Sequence, residues 1–280
     1  MARQTFLTLD NGATIPQLGL GTWQTPEPEA ASVIQTALAA GYRLIDTAAI
    51  YNNETGVGRG LEAGMAALEL ARGAVFITTK LWNDRQGFDS TLRACDESLA
   101  RLGLDYVDLY LIHWPAPRQN RYLESWQALI RLREEGKARA IGVSNFEAAH
   151  LERIIGETGV VPAVNQIELH PDFQQKPLRA VHARHGILTQ SWSPLGQGNL
   201  LQQPQISAIA RKHGKTAAQI ILRWHLEEGL LVIPKSGHAE RIASNFAVFD
   251  FVLDAEDRKT LAALDNAKGR LGPHPDRADF

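Results

Sequence analysis

Three stretches of the chain set side chains capable of proton chemistry directly after short apolar runs. Arg43 to Tyr51 reads RLIDTAAIY: the run through Leu44-Ile45 suffices for one buried strand, Asp46 falls where it should end, and Tyr51 follows five residues later. TTKLW sets Lys80 at the end of a second run, and LYLIHWP sets His113 at the end of a third. A phenol ordinarily keeps its proton up to about pH 10, so unaided it donates poorly at neutrality. A neighbouring ammonium stabilises phenolate and lowers that pKa, a role open to Lys80, with Asp46 to pair with the ammonium and hold it. His113 offers a second hydrogen bond to an oxygen held by Tyr51. Together the four suit protonation of an oxygen on which negative charge builds, as reduction of a carbonyl requires. Nothing among the side chains can deliver hydride, so a nicotinamide is implied, and no metal site is expected.

Taken singly, each residue has a plainer reading. Asp46 fits a helix cap, Asp46 with Lys80 fits a salt bridge at a rim, Tyr51 fits surface packing, and His113 fits a structural histidine before Trp114-Pro115. What favours the chemical reading is recurrence: all four fall at or just beyond the ends of successive predicted strands.

Those strands belong to a regular alternation. Asp10-Asn11-Gly12 predicts a hairpin between residues 5–9 and 13–16, and QLGLGTW a strand ending near Thr22. Glu29 to Ala40 is helical in period and stops at Gly41. Further strands are predicted at 42–46, 74–80, 106–112, 138–143, 162–166, 187–192 and 230–234. Helices are predicted between them at 54–70, 88–102, 120–135, 147–156 and 176–185, then near 205–213, 216–228, 239–245 and 255–266. The strands are short and continuously apolar, as strands covered on both faces should be. Eight β/α units without a linker predict an α/β fold, a (β/α)8 TIM barrel with an N-terminal β-hairpin, as one domain over residues 1–280. A doubly wound sheet is the alternative, but no G-x-G-x-x-G follows the first strand. The tail GRLGPHPDRADF reads as an irregular segment over one barrel end.

Composition narrows the class. A length of 280 residues is ample for a large core, and a formal charge of −2 predicts no attraction to nucleic acid or an anionic membrane. The single cysteine, Cys95, follows the apolar rhythm Leu92, Cys95, Leu99, Leu102 and reads as a buried structural thiol. MARQTFLTLDNG shows no apolar signal region, and no stretch is apolar enough to span a bilayer. A soluble, cytoplasmic protein is the expectation. His182 and His185 read as surface histidines, His170 as rim packing, and Arg131, Arg133, Glu134 and Glu135 as charges on a helix face.

The ordered strings GLGTW, RLIDTAAIYNNE, TTKLW, LIHWP, GVSNF, NQIELHP, SWSPLGQG and IPKSGHAERIASN together resemble the aldo-keto reductases, from about residue 6 to the C-terminus. SWSPLGQG with the Gly/Pro-rich tail looks most like the bacterial 2,5-diketo-D-gluconate reductases. The resemblance implies a barrel binding NADPH across its strand ends, with Tyr51 as general acid, Lys80 and Asp46 as the pair tuning it, and His113 orienting the carbonyl. It implies Ser144, Asn145 and Gln166 on the nicotinamide carboxamide, with Thr22, Trp23 and Asp46 close to the cofactor. Trp192 stands where many relatives place a stacking Tyr, and its indole suits offset stacking at least as well. Ser193, Leu195, Gln197 and Gly198 match a loop over the pyrophosphate; Lys235, Ser236 and Arg241 match a 2′-phosphate cluster. Asn245 matches an adenine contact, but Ser244 stands where many relatives carry Glu, which weakens the expected margin of NADPH over NADH. Trp23, Trp82 and Trp114, with Tyr51 and His113, would wall a pocket for a small carbonyl substrate. The activity implied is NADPH-dependent carbonyl reduction, with 2,5-diketo-D-gluconate as one substrate and methylglyoxal or simple aldehydes as the alternative. A non-catalytic NADPH-binding sensor is the reading from another class. The resemblance also suggests a monomer.

Overall fold

The computed structural model describes residues 4–278; residues 1–3, the start of the N-terminal stretch, and 279–280, the end of the tail, lie outside it. Strands β1 (Phe6–Thr8) and β2 (Thr14–Pro16) form the antiparallel hairpin predicted about Asp10-Asn11-Gly12. Eight parallel strands follow in sequence order: β3 (Leu20–Gly21), β4 (Leu44–Asp46), β5 (Phe76–Leu81), β6 (Val107–Ile112), β7 (Ala138–Ser144), β8 (Val164–Glu168), β9 (Leu188–Trp192) and β10 (Leu231–Val232). Backbone bonds between the first and last of them close the cylinder: Gly19 N–H donates to Val232 O at 2.8 Å, Val232 N–H to Gln17 O at 2.8 Å, and Gly21 N–H to Pro234 O at 3.0 Å. The fold is therefore the (β/α)8 barrel with an N-terminal hairpin that the alternation predicts.

Alternate residues along each strand point into the barrel. Leu44, Phe76, Leu109, Leu111, Val164, Leu231 and Ile233 fill the interior, and Leu9 and Ile15 of the hairpin join this cluster. The intervening residues, among them Ile45, Ile77, Tyr110, Ile112 and Ile141, pack under the surrounding helices. Helix α1 (Glu27–Ala40) ends where predicted, on Gly41 at φ 109°. Helix α2 (Glu54–Ala67) meets α1 closely because Gly56 and Gly60 present no side chain: a Cβ on Gly56 would come 2.5 Å from Glu27 O. Cys95 is buried in α3 (Phe88–Leu102) as expected, and burial raises its thiol pKa to about 12. Arg131 of α4 (Tyr122–Glu134) pairs with Glu135 at 2.7 Å on the helix face. Among the described residues no helix is long and apolar enough to cross a membrane.

Several expectations change. β10 is shorter than predicted because Pro234 has no N–H with which to extend the ladder. α2 stops at Ala67 rather than 70, where the chain turns through Glu69 at φ 51°. His182 of the helix Lys176–His185 is not at the surface. It is buried, with Nε2 2.9 Å from Asn165 Nδ2 and Nδ1 2.8 Å from Thr189 Oγ1, so the ring is held as a neutral tautomer between two strands.

Burial pulls the His182 pKa down to about 4. Above the unfolded value near 6.5, folded and unfolded histidine are both neutral and this contribution to stability is complete. As pH falls toward 4, only the unfolded chain takes up the proton, so stability falls, by on the order of 3 kcal/mol at the low end. His182→Gln is expected to show a shallower loss of melting temperature between pH 7 and 5 than the wild type, measured by calorimetry.

Candidate active site

The last inward-facing positions of successive strands converge at one end of the barrel. Two-residue periodicity takes Leu44 to Asp46, Phe76 through Thr78 to Lys80, Leu111 to His113, Gly142 to Ser144, and Val164 to Gln166. Strand register brings them level: Asp46 pairs with Thr78, Lys80 with Leu111, and Ser144 with Gln166. Tyr51 reaches the same place from the short 3-10 turn Ala49–Tyr51 that follows β4.

Lys80 is the centre. Its buried Nζ donates to Asp46 Oδ1 at 2.5 Å, to Thr47 O at 2.9 Å and to Tyr51 Oη at 3.4 Å. Asp46 Oδ2 accepts from Gln166 Nε2 at 2.8 Å, and the same amide donates to Gln190 Oε1 at 2.7 Å. The His113 ring lies edge-on to Tyr51, centroids 5.7 Å apart, and to Trp82 at 5.1 Å.

Burial pulls the Lys80 ammonium toward neutrality, but the Asp46 carboxylate and the Tyr51 oxygen together more than offset this, and its pKa stands above the ordinary lysine value. Burial pushes the Asp46 carboxyl up, against the pull of Lys80 and the Gln166 amide. Burial, together with the Lys80 charge, holds His113 well below the usual histidine range, so the imidazole is neutral. Tyr51 corrects an expectation. Burial raises its pKa by more than Lys80 lowers it, and the Asp46 charge adds to the rise, so the phenol is not brought toward neutrality. A fully protonated phenol beside a neutral imidazole gives two hydrogen-bond donors for one carbonyl oxygen.

A cavity of about 590 Å³ opens above this floor. Asp46, Tyr51, His113, Ser144, Asn145 and Gln166 line its base, while Trp23, Trp82, Trp114 and Trp192 form apolar walls, with Ser193, Gln197 and Lys235 at the edge. Asn145 Nδ2 donates to His113 O at 2.9 Å and to Ser144 Oγ at 3.0 Å, and its Oδ1 accepts from Trp192 Nε1 at 2.8 Å. The Asn145 side chain thus ties the indole wall to the His113 strand. Asn145, Ser193 and Gln197 hold positive φ at 62°, 49° and 53°, conformations that cluster where a rim is shaped for a ligand.

Most of the other expected residues lie apart from the cavity lining. Thr22 is buried beneath it, its Oγ1 3.2 Å from Asp46 O, where it holds the backbone of the carboxylate strand. Leu195 and Gly198 lie on the loop after β9, Gly198 at φ 96°. Lys235, at the cavity edge, and Ser236 follow β10, and the helix Ala239–Phe246 carries Arg241, Ser244 and Asn245. Lys235 and Arg241 are exposed and have no carboxylate partner among the described residues, and the Asn245 side chain makes no hydrogen bond there. Two cations without a carboxylate partner and an amide without a hydrogen bond among the described residues could hold a phosphate and a base. Sequence reasoning did not single out Gln24, Ile50, Gly272 and Pro273, which also line the cavity, or Gln190 and Glu168 behind it.

A (β/α)8 barrel whose strand ends gather a Tyr, a Lys–Asp pair and a His under an aromatic cavity is built as an oxidoreductase of carbonyls. The aldo/keto reductase family model matches residues 17–266, and the chain belongs to that family. It is 54% identical over 274 residues to an aldo-keto reductase of Mycolicibacterium smegmatis, covering 98% of each chain. It is 51% identical over 279 residues to methylglyoxal reductase DkgA of Escherichia coli, covering 99% of each. Among solved structures, apo Gox0644 is 52% identical with TM-score 0.95, covering 99% of this chain and 100% of that one; a mutant of Gox0644 in complex with NADPH matches equally.

Asp46→Asn leaves the buried Lys80 ammonium without its counter-charge. Removing one member of such a pair costs about 3–5 kcal/mol. Urea unfolding of this variant is expected to show a loss of that order.

Proposed function

We propose that this chain reduces small aldehydes and ketones with NADPH, Tyr51 giving the proton to the carbonyl oxygen. The observation that carries the reading is the Tyr51 hydroxyl, directed by buried Lys80 at 3.4 Å, facing one cavity with neutral His113. When bound, NADPH supplies hydride chemistry. The chain's own groups do the rest. Tyr51 and His113 donate to the carbonyl oxygen, and as charge grows there the Lys80 ammonium stabilises the phenolate left on Tyr51. Asp46 and Gln166 keep Lys80 in place, and the tryptophan walls exclude water and so strengthen these interactions.

Lys235, Ser236 and Arg241 would hold the 2′-phosphate; Ser193, Leu195, Gln197 and Gly198 the pyrophosphate; Asn245, with Ser244, the adenine. Ser144, Asn145 and Gln166 would meet the carboxamide, and Trp192, with Trp23, the nicotinamide ring. Trp23, Trp82 and Trp114 would enclose the substrate. The substrate class proposed is small dicarbonyls, with methylglyoxal first because relatives at 51% identity carry that name. The second reading, 2,5-diketo-D-gluconate, draws on the width of the cavity and the short Pro115–Arg121 connection. We further infer one domain acting in the cytoplasm, a compartment that a lone buried cysteine suits, and, on the family likeness, as a monomer.

NADPH oxidation followed at 340 nm with methylglyoxal, 2,5-diketo-D-gluconate and aryl aldehydes tests the reading. Tyr51→Phe is expected to lose about 10²–10⁴-fold in kcat while retaining NADPH affinity. A wild type that binds NADPH and turns over none of these carbonyls would favour a sensor. Lys235→Met should weaken NADPH binding about tenfold and leave NADH binding unchanged, as loss of one charge-assisted phosphate contact requires. Equal loss for both cofactors would remove Lys235 from the 2′-phosphate.

A further inference from the structure

The mouth of the barrel is partly formed by the tail, and the tail is seated on a buried carboxylate that the proton-donating set does not use. Glu168 ends β8, and its side chain has no exposed surface. Oε1 accepts the Leu271 N–H at 2.5 Å, and Oε2 accepts the Gly272 N–H at 2.9 Å. His170, equally buried, stands with Nε2 3.0 Å from Glu168 Oε1 and Nδ1 2.5 Å from Asp172 Oδ1. The same turn holds the other end of the segment, since Asp172 O accepts the Asn266 N–H at 3.0 Å. Burial pushes the Glu168 carboxyl up, but His170 and the Leu271 and Gly272 amides together bring its pKa below the ordinary carboxylate value.

Gly272 transmits this anchorage to the pocket. Its backbone lies so close to the Trp192 indole that a Cβ would come 2.7 Å from Cη2, and 3.1 Å from Glu168 Oε2. Gly272 and Pro273 line the same cavity as Tyr51, His113 and Trp192. The indole is therefore held from two directions, by Asn145 through its Nε1 and by the tail against its far edge.

We propose that Glu168 is a positioning residue for the substrate: it clamps Leu271-Gly272 against Trp192 and so sets the width of the carbonyl pocket. The inference rests on the carbonyl-reducing reading above. A carboxylate offers acceptors to both amides, whereas a carboxamide offers one acceptor and turns an NH2 toward the other N–H. Glu168→Gln therefore frees one end of the clamp with little change in volume. Lys80 stands on β5, His113 directly follows β6 and Tyr51 lies on the turn after β4, so loosening the tail widens the pocket without moving the proton donors.

Glu168→Gln is expected to raise KM for methylglyoxal about tenfold, with kcat within about threefold, and to improve bulky aryl aldehydes relative to small carbonyls. Hydrogen exchange at the Leu271 and Gly272 amides, measured without substrate or cofactor, should accelerate about tenfold while β6 amides stay as in the wild type. Gly272→Ala approaches from the other side: Glu168 remains, but the new methyl pushes the tail off the indole. It should shift KM in the same direction, and the double variant should not exceed the larger single effect. Wild-type exchange at the two amides in Glu168→Gln, or an unchanged KM in both single variants, overturns the proposal. A wild type inactive on every carbonyl overturns the functional reading instead, and the exchange measurement still decides whether the clamp exists.

Discussion

The ion pair between Lys80 and Asp46 is the constraint around which the barrel mouth is arranged. Both side chains are removed from water, and buried charges persist only where their remaining hydrogen-bonding capacity is met. The surrounding polar groups do this: Thr47 O takes a second ammonium proton, Gln166 takes the second carboxylate oxygen, and Gln190 steadies Gln166 from within the barrel. Thr22 braces the Asp46 backbone from the neighbouring strand. The third ammonium direction is left for Tyr51, at a longer 3.4 Å. A site whose strongest contacts are internal has its remaining donor directed before any ligand arrives.

Burial then assigns protonation states. It keeps the Tyr51 phenol protonated and the His113 imidazole neutral, although a cation lies close to both. In the resting protein Lys80 is neutralised by Asp46 and does not drive the phenol to ionise. In the proposed reaction its charge becomes effective as negative charge develops at Tyr51, which is the differential stabilisation catalysis needs.

The architecture and the central residues were legible because their signals are local. Short apolar runs followed by Asp46, Lys80 and His113 encode strand ends, and alternation decides which side chains face inward. Gly41 marks the end of a helix through its own backbone preference. What could not be read depends on distant partners. His182 is buried by Asn165 and Thr189 of two strands, which helical spacing does not reveal. Tyr51 was expected to titrate low because a cation is visible in sequence, whereas the burial that dominates is a property of the whole mouth. The contact of Glu168 with Leu271 spans 103 residues, and Gln190 looked like one more strand residue until its amide oxygen met Gln166.

The seam between β3 and β10 also bears on how the molecule comes into being. The bonds from Gly19 and Gly21 to Val232 and Pro234 join chain segments more than two hundred residues apart, and Gln17 Nε2 bonds Leu230 O at a separation of 213. A growing chain made at roughly 5–20 residues per second must carry its first strand unpaired on that side until nearly all the rest has emerged. During that interval Gly19 and Gly21 offer an open sheet edge. The hairpin ahead of them can already plug the bottom through Leu9 and Ile15. Final closure therefore waits for β10, the last strand of the sheet to emerge.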